Sequence, residues 1–306
     1  MTAVTTPVEP RRGIDRLQRT PLTSDNGVLW RELGLITMGF QLAPSFLLAC
    51  MHPAFSAVAE QRGARFRTDP TGRAARAAAS VLTSVYGGEE ALAETERLRK
   101  AHKDLSATAA DGTTIHALHS NVWAWVMHAT VYSIMVRLDY FGQGMSGAEL
   151  EQFYQRDCVA LMRMLHVAPK EIPPTYHQWR SEFDDYVATG LEATVTARDY
   201  WQLIGILPAP SALPAPLRAL WPALVAPYRR LLVFAARGML PPAARAKLGL
   251  SFSSRDERRL RLLGRLVGGA VGLMPERLRY LPIAYEARRA DRAAHALQAI
   301  LTQRPR

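Results

Sequence analysis

Residues 121–136, Asn-Val-Trp-Ala-Trp-Val-Met-His-Ala-Thr-Val-Tyr-Ser-Ile-Met-Val, run for sixteen positions without a charge. A helix apolar on every side has no face to offer to water, so the rest of the chain must be wrapped around it. One imidazole, His128, lies in its middle, and Trp125, Ala129 and Tyr132 share its face at helical spacing. A buried imidazole must satisfy its ring nitrogens, through hydrogen bonds or a metal. A core histidine bonded to a backbone carbonyl is one reading. The other is an axial ligand facing a flat apolar slot between aromatic rings. The helix by itself does not separate them.

Helical signals surround this segment. Ser146 with Glu149 forms a capping box opening a helix to about His166. Thr175 with Gln178, or Ser181 with Asp184, starts a helix running through Leu207. Ser254 with Glu257 opens another, with Leu260, Leu263, Val267 and Val271 as its apolar stripe. Breaks are marked by Pro or Gly, at Pro70, Gly87, Gly142, Pro173, Pro208 to Pro216, Pro241 and Pro282. No alternating strand pattern exceeds four residues. The expected fold is all-α, a helical bundle with additional C-terminal helices. Residues 1–26 are polar, lack an apolar signal core and read as a disordered tail. Residues 27–306 read as a single α-helical domain, with a Pro-rich connection at about 208–216.

Cys50 and Cys158 stand in no metal-ligand or disulfide pattern, which fits a reducing, cytoplasmic setting. The net charge of +11 comes mostly from arginines spread along helices, without a nucleic-acid motif, so no nucleic-acid partner is expected. Residues 33–51 are uncharged but barely reach spanning length and carry Gln41 and Pro44. A buried, proline-kinked core helix is the preferred reading, and membrane association is not favoured.

The preceding helix, about residues 90–105, brings Arg99 and His102 to one edge beside the inward Leu98. A guanidinium and an imidazole facing a pocket polarise dioxygen or hold a carboxylate; on the surface they are merely solvated. Gly-rich phosphate loops, nucleophile elbows and zinc-protease motifs are missing. His116 and His119 stand three apart with no third ligand at suitable spacing.

Taken in order, the landmarks resemble the mpaB-type oxygenase family, which includes the latex-clearing proteins. They are Cys50-Met-His-Pro53, Asp69-Pro-Thr-Gly-Arg73 with Arg76, Val85-Tyr-Gly87, Arg99-x-x-His102, Trp123-Ala-Trp-Val-Met-His-Ala-Thr130 and Ile172-Pro-Pro-Thr175. Beyond these come Met239-Leu-Pro-Pro-Ala-Ala-Arg245 and Met274-Pro-Glu-Arg277. The resemblance implies a globin-like helical core binding haem b and an oxidoreductase that uses dioxygen on a small lipophilic or secondary-metabolite substrate. No electron donor is identified. It implies His128 as the proximal iron ligand, Arg99 and His102 on the distal side, and Trp125, Leu98 and Tyr132 around the haem. Arg73 and Arg76 would pair with its propionates.

The chain departs from the family pattern in places. Met127 intervenes where the family reads Trp-Val-His, and one extra residue turns a helix by about 100°. Ala107 stands for a glycine, Ile115 for a tyrosine, Ala77 for a threonine and Arg156 for a glutamate. Two other classes stay open: a non-catalytic haem-binding or sensing protein, and a haem-free helical interaction protein with a basic surface.

Overall fold

The computed structural model describes residue 22 and residues 27–61, 67–108, 112–210 and 213–302. Apart from Leu22, the expected tail therefore lies outside the described residues. The uncharged segment is the centre of a longer helix, α6 (Ser120–Phe141), on which fifteen side chains are buried. Helix α2 (Met38–Cys50), with Pro44 inside it, lies along α6 and is buried over most of its length, as expected for a core helix. Trp125 Nε1 donates to Leu48 O at 2.9 Å, and the Ser45 and Thr130 hydroxyls meet at 3.2 Å. Among the described residues no single helix is long and apolar enough to cross a membrane. Only α2 together with α3 (Pro53–Gln61), bent by 93° between them, passes on length and composition.

The other elements close around this pair. Short α1 (Val28–Glu32) precedes α2, and α4 (Pro70–Tyr86) and α5 (Glu89–His102) pack on each other. A two-stranded antiparallel hairpin, β1 (Ser106–Thr108) with β2 (Thr114–His116), follows; three-residue strands leave no alternation to read in the sequence. The capping box at Ser146 opens α7 (Gly147–Phe153), which continues through a π-helical turn (Tyr154–Cys158) into α8 (Val159–Met164).

Two helix boundaries differ from the sequence expectation. Of the two candidate starts near residue 175, Thr175 is the cap, accepting from Gln178 N at 3.1 Å. The helix it opens, α9 (Tyr176–Thr189), stops at Gly190, and the Thr194 side chain caps a separate α10 (Val195–Ile206). Capping is local, so Thr194 starts a new helix where apolar periodicity alone suggested continuity. The cap of α13 (Ser254–Leu273) is Ser253, with Asp256 completing its box, one residue before the expected Ser254 with Glu257.

The C-terminal helices α11 (Ala215–Met239), α12 (Pro242–Lys247), α13, α14 (Glu276–Arg279) and α15 (Pro282–Thr302) complete the chain. On either side of the Pro-rich connection, Trp221 Nε1 on α11 donates to Leu207 O at the end of α10 at 2.8 Å. A second apolar cluster of Phe40, Phe141, Ile204, Leu232, Met239 and Leu260 joins these helices to α2 and α6. On α13, Gly264 and Gly268 allow close approach, since a Cβ at either would stand 2.0 Å from Tyr140 O or 2.3 Å from Phe141 O.

Arg137 is the one cation on α6, and it is only 1% exposed. Its guanidinium donates to Gln41 Oε1 at 2.8 Å, Thr37 Oγ1 at 3.0 Å and Glu32 O at 3.0 Å. Burial lowers its pKa to about 10, so it stays charged at neutral pH. Replacing Arg137 with Ala strands three acceptors and opens a cavity. The expected loss in urea unfolding is about 2–4 kcal/mol. A loss under about 1 kcal/mol would show that these pairings add nothing.

Candidate site: an aromatic layer with two imidazoles

Helix α9 places Tyr176, Trp179, Phe183 and Tyr186 on one stripe, and that stripe faces α6. Phe183 stacks on Tyr132 at 4.6 Å and on Trp125 at 5.3 Å, both at 14°. Trp179 lies 5.4 Å from Phe183, and Tyr186 lies 4.7 Å from Trp125. The layer continues to His52, whose ring stacks 5.6 Å from Tyr186.

His128 sits at the edge of this layer. Its Nε2–H donates to Glu171 O at 2.9 Å, and its Nδ1 accepts from Trp179 Nε1 at 3.0 Å. Burial pulls its pKa below the usual histidine value, so the ring is neutral, with its proton on Nε2. Of the two readings open from sequence, this geometry is that of a core histidine bonded to a backbone carbonyl.

His52 was not among the sequence candidates and figured only inside the Cys-Met-His-Pro landmark. It occupies the sharp bend between α2 and α3, where Pro53 begins the next helix. Its Nδ1 accepts a long bond from Phe55 N at 3.4 Å, while Nε2 is buried without a hydrogen-bond partner. Burial lowers its pKa to about 4. The recognisable signal was a histidine directly before a helix-opening proline at the end of an apolar helix.

The remaining candidates are dispersed. Arg99 is exposed. His102 is half-buried, with Nδ1 against Leu98 O at 2.8 Å and its ring 5.3 Å from Trp123, edge-on. Trp123 precedes His128 by five residues, about 7.5 Å along the helix and about 140° around it. His102 thus packs on a side of α6 other than the one that carries His128. Leu98 packs against the main core. Arg73 is half-buried with its guanidinium 4.8 Å over Phe46, and burial lowers its pKa. Arg76 is exposed and pairs with Asp69 at 3.0 Å. Among the described residues no group of three His, Cys, Asp or Glu side chains is placed to hold a metal, so His116 and His119 gain no third ligand.

Haem can be tested against the donor set directly. An axial histidine presents an uncommitted ring nitrogen to iron and leaves room for a planar macrocycle. At His128 the lone pair of Nδ1 is taken by the Trp179 indole, and stacked rings fill the space beside it. As arranged, these residues do not fit the group. A cavity of about 490 Å³ opens elsewhere, lined by Val28, Arg31, Gln143, Arg156 and Asp157. There Asp157 Oδ2 accepts from Val28 N at 3.1 Å, and burial raises its pKa to about 6.

The chain is therefore an all-α protein built around one helix whose central sixteen residues carry no charge, with a ring-lined layer between that helix and α9. Over residues 30–269, 240 of its 306 positions, it matches the family described as ER-bound oxygenase mpaB/B′/rubber oxygenase, catalytic domain, and it belongs to that family. Neither a curated protein nor a solved structure matches it.

The two imidazoles set a pH dependence. A folded-state pKa lowered from 6.5 to about 4 at His52 means that its contribution is complete above pH 6.5 and is lost as pH falls toward 4. The loss by pH 4 is about 3 kcal/mol, measured as the fall in urea midpoint, with His128 acting in the same direction. His52→Phe should flatten this decline. An unchanged slope would remove His52 from the account.

Proposed function

We propose that the chain is an oxygenase that spends dioxygen on a small lipophilic molecule, with the layer between α2, α6 and α9 as the substrate's seat. One observation carries the reading: the oxygenase family match encloses every residue of that layer. The layer suits such a substrate. Trp125, Tyr132, Phe183 and Tyr186 now pack on one another, so a substrate enters by parting rings that would then stack on it, and His52 Nε2 is a buried polar atom left to meet a substrate oxygen. A donor left unpaired there costs about 1–3 kcal/mol, which a bound acceptor recovers.

Haem b enters on kinship alone, because seating it at His128 requires Trp179 to release Nδ1 and the stacked rings to part. A haem-free role is the second reading, and the engagement of both His128 nitrogens favours it. Titrating the purified protein with haemin while recording the visible spectrum separates them. A Soret band abolished by His128→Ala but kept by His119→Ala supports haem on His128. A protein that stays colourless favours the haem-free reading.

Turnover is checked with an oxygen electrode and squalene as a lipophilic probe, with and without haemin and a chemical reductant. Oxygen uptake that depends on the probe and falls at least tenfold in Phe183→Ala is expected. Uptake indifferent to that substitution would move the substrate elsewhere.

A further inference from the structure

Helix α11 divides into two halves. Toward its end Val225, Leu232, Ala235, Ala236 and Met239 are buried. Its first half instead exposes Leu217 (45%), Leu220 (57%), Leu224 (65%) and Tyr228 (44%). These positions are spaced i, i+3, i+7 and i+11, so they form one continuous stripe along the helix. The Trp221–Leu207 hydrogen bond ties the end of α10 to this half, and there Ile206 is 61% exposed. Contiguous exposed apolar surface of this kind marks an interaction face.

Charge indicates its partner. Residues 200–255 contain no Asp or Glu, against Arg218, Arg229, Arg230, Arg237, Arg245, Lys247 and Arg255. Arg245 and Lys247 turn to backbone carbonyls, and Arg237 lies over Trp201. Arg218 is exposed on the same half-helix as the leucines; just past Tyr228, Arg230 is exposed and Arg229 half-buried. Leucines with Trp, Tyr and Arg and no acid are the composition of a helix lying in a membrane interface.

We propose that the first half of α11, with the end of α10, is a peripheral docking face for an anionic bilayer surface. The leucines enter the headgroup boundary and the arginines meet lipid phosphates. A second copy of the chain fits less well, because it would set Arg218, Arg229 and Arg230 against their own kind with no carboxylate in the segment to pair with. Helix α13, packed on α11, shows the same combination: exposed Leu262, Leu266 and Leu273 beside Arg258 and Arg265.

The test is co-sedimentation of the full chain with sonicated vesicles of phosphatidylcholine, alone or with one quarter phosphatidylglycerol. Binding to the anionic vesicles should be at least tenfold tighter and weaken with salt. L220S/L224S keeps the charge and should lower the partition coefficient about tenfold, with an unchanged melting curve. R229E/R230E should abolish binding. K100E/K103E, at two exposed lysines where α5 ends, makes the same charge change and should cost under threefold. The proposal is overturned if wild type ignores anionic vesicles, or if K100E/K103E weakens binding as much as R229E/R230E, which would indicate bulk charge attraction. It is also overturned if L220S/L224S leaves vesicle binding intact but turns a dimer into a monomer by light scattering, which would assign the face to a second copy.

Discussion

A helix buried along most of its length needs its neighbours to answer its polar side chains; the hydroxyl of Ser133 is left without a partner, but the answers the others receive hold the molecule in register. Trp123 Nε1 reaches Leu165 O beyond α8, and Trp125 Nε1 reaches Leu48 O on α2. His128 reaches Glu171 O, Arg137 gathers Glu32, Thr37 and Gln41, and Tyr140 Oη donates to Glu257 on α13 at 2.7 Å. Each such bond is worth about 1 kcal/mol net, but breaking one inside the core costs more, because its partner is left dry. Specificity of packing follows: a neighbour shifted by one residue along α6 would strand a donor or an acceptor.

The same constraint decides what His128 does. One imidazole has two nitrogens, and here one holds the segment before α9 while the other accepts from α9 itself. The extra residue in the Trp-Val-Met-His sequence bears on this directly. Counting from Trp125, the position two residues on is Met127, buried in the core, and His128 lies about 100° further round the helix, toward Trp179. A histidine at the second position would present itself to a different neighbour. The departure in sequence and the tethering role in structure are two views of one rotation.

Much of the architecture was legible because it rests on short-range chemistry. The uncharged run of α6, the proline-bearing core helix α2 and the caps at Ser146 and Thr175 follow from composition and spacing, which survive any tertiary context. The division at Gly190 and the cap at Ser253 were not legible, since competing Ser and Thr residues lie within one turn and only packing selects among them. The site was less legible still. Arg99 and His102 share a helix edge, yet a long guanidinium reaches water from an edge that a half-buried imidazole does not leave. His52 matters because of what fails to reach its Nε2, and an unmet hydrogen bond leaves no trace in sequence.

Charge segregation along the chain carries the reasoning from core to surface. Acidic residues cluster where they cap or pair, as Glu94 with Arg97, Glu276 with Arg288 and Asp69 with Arg76. Residues 200–255 have none, although the buried half of α11 needs no exclusion of carboxylates from its outer side. Core packing therefore accounts for Leu232, Ala235 and Met239 but not for Leu217, Leu220 and Leu224, which carry nearly the same helix face on into solvent. The lipophilic substrate proposed above would have to reach the layer, and such compounds concentrate in lipid. An acid-free, leucine-bearing face on α11, the helix that packs along α2, would bring the layer and its supply to the same boundary.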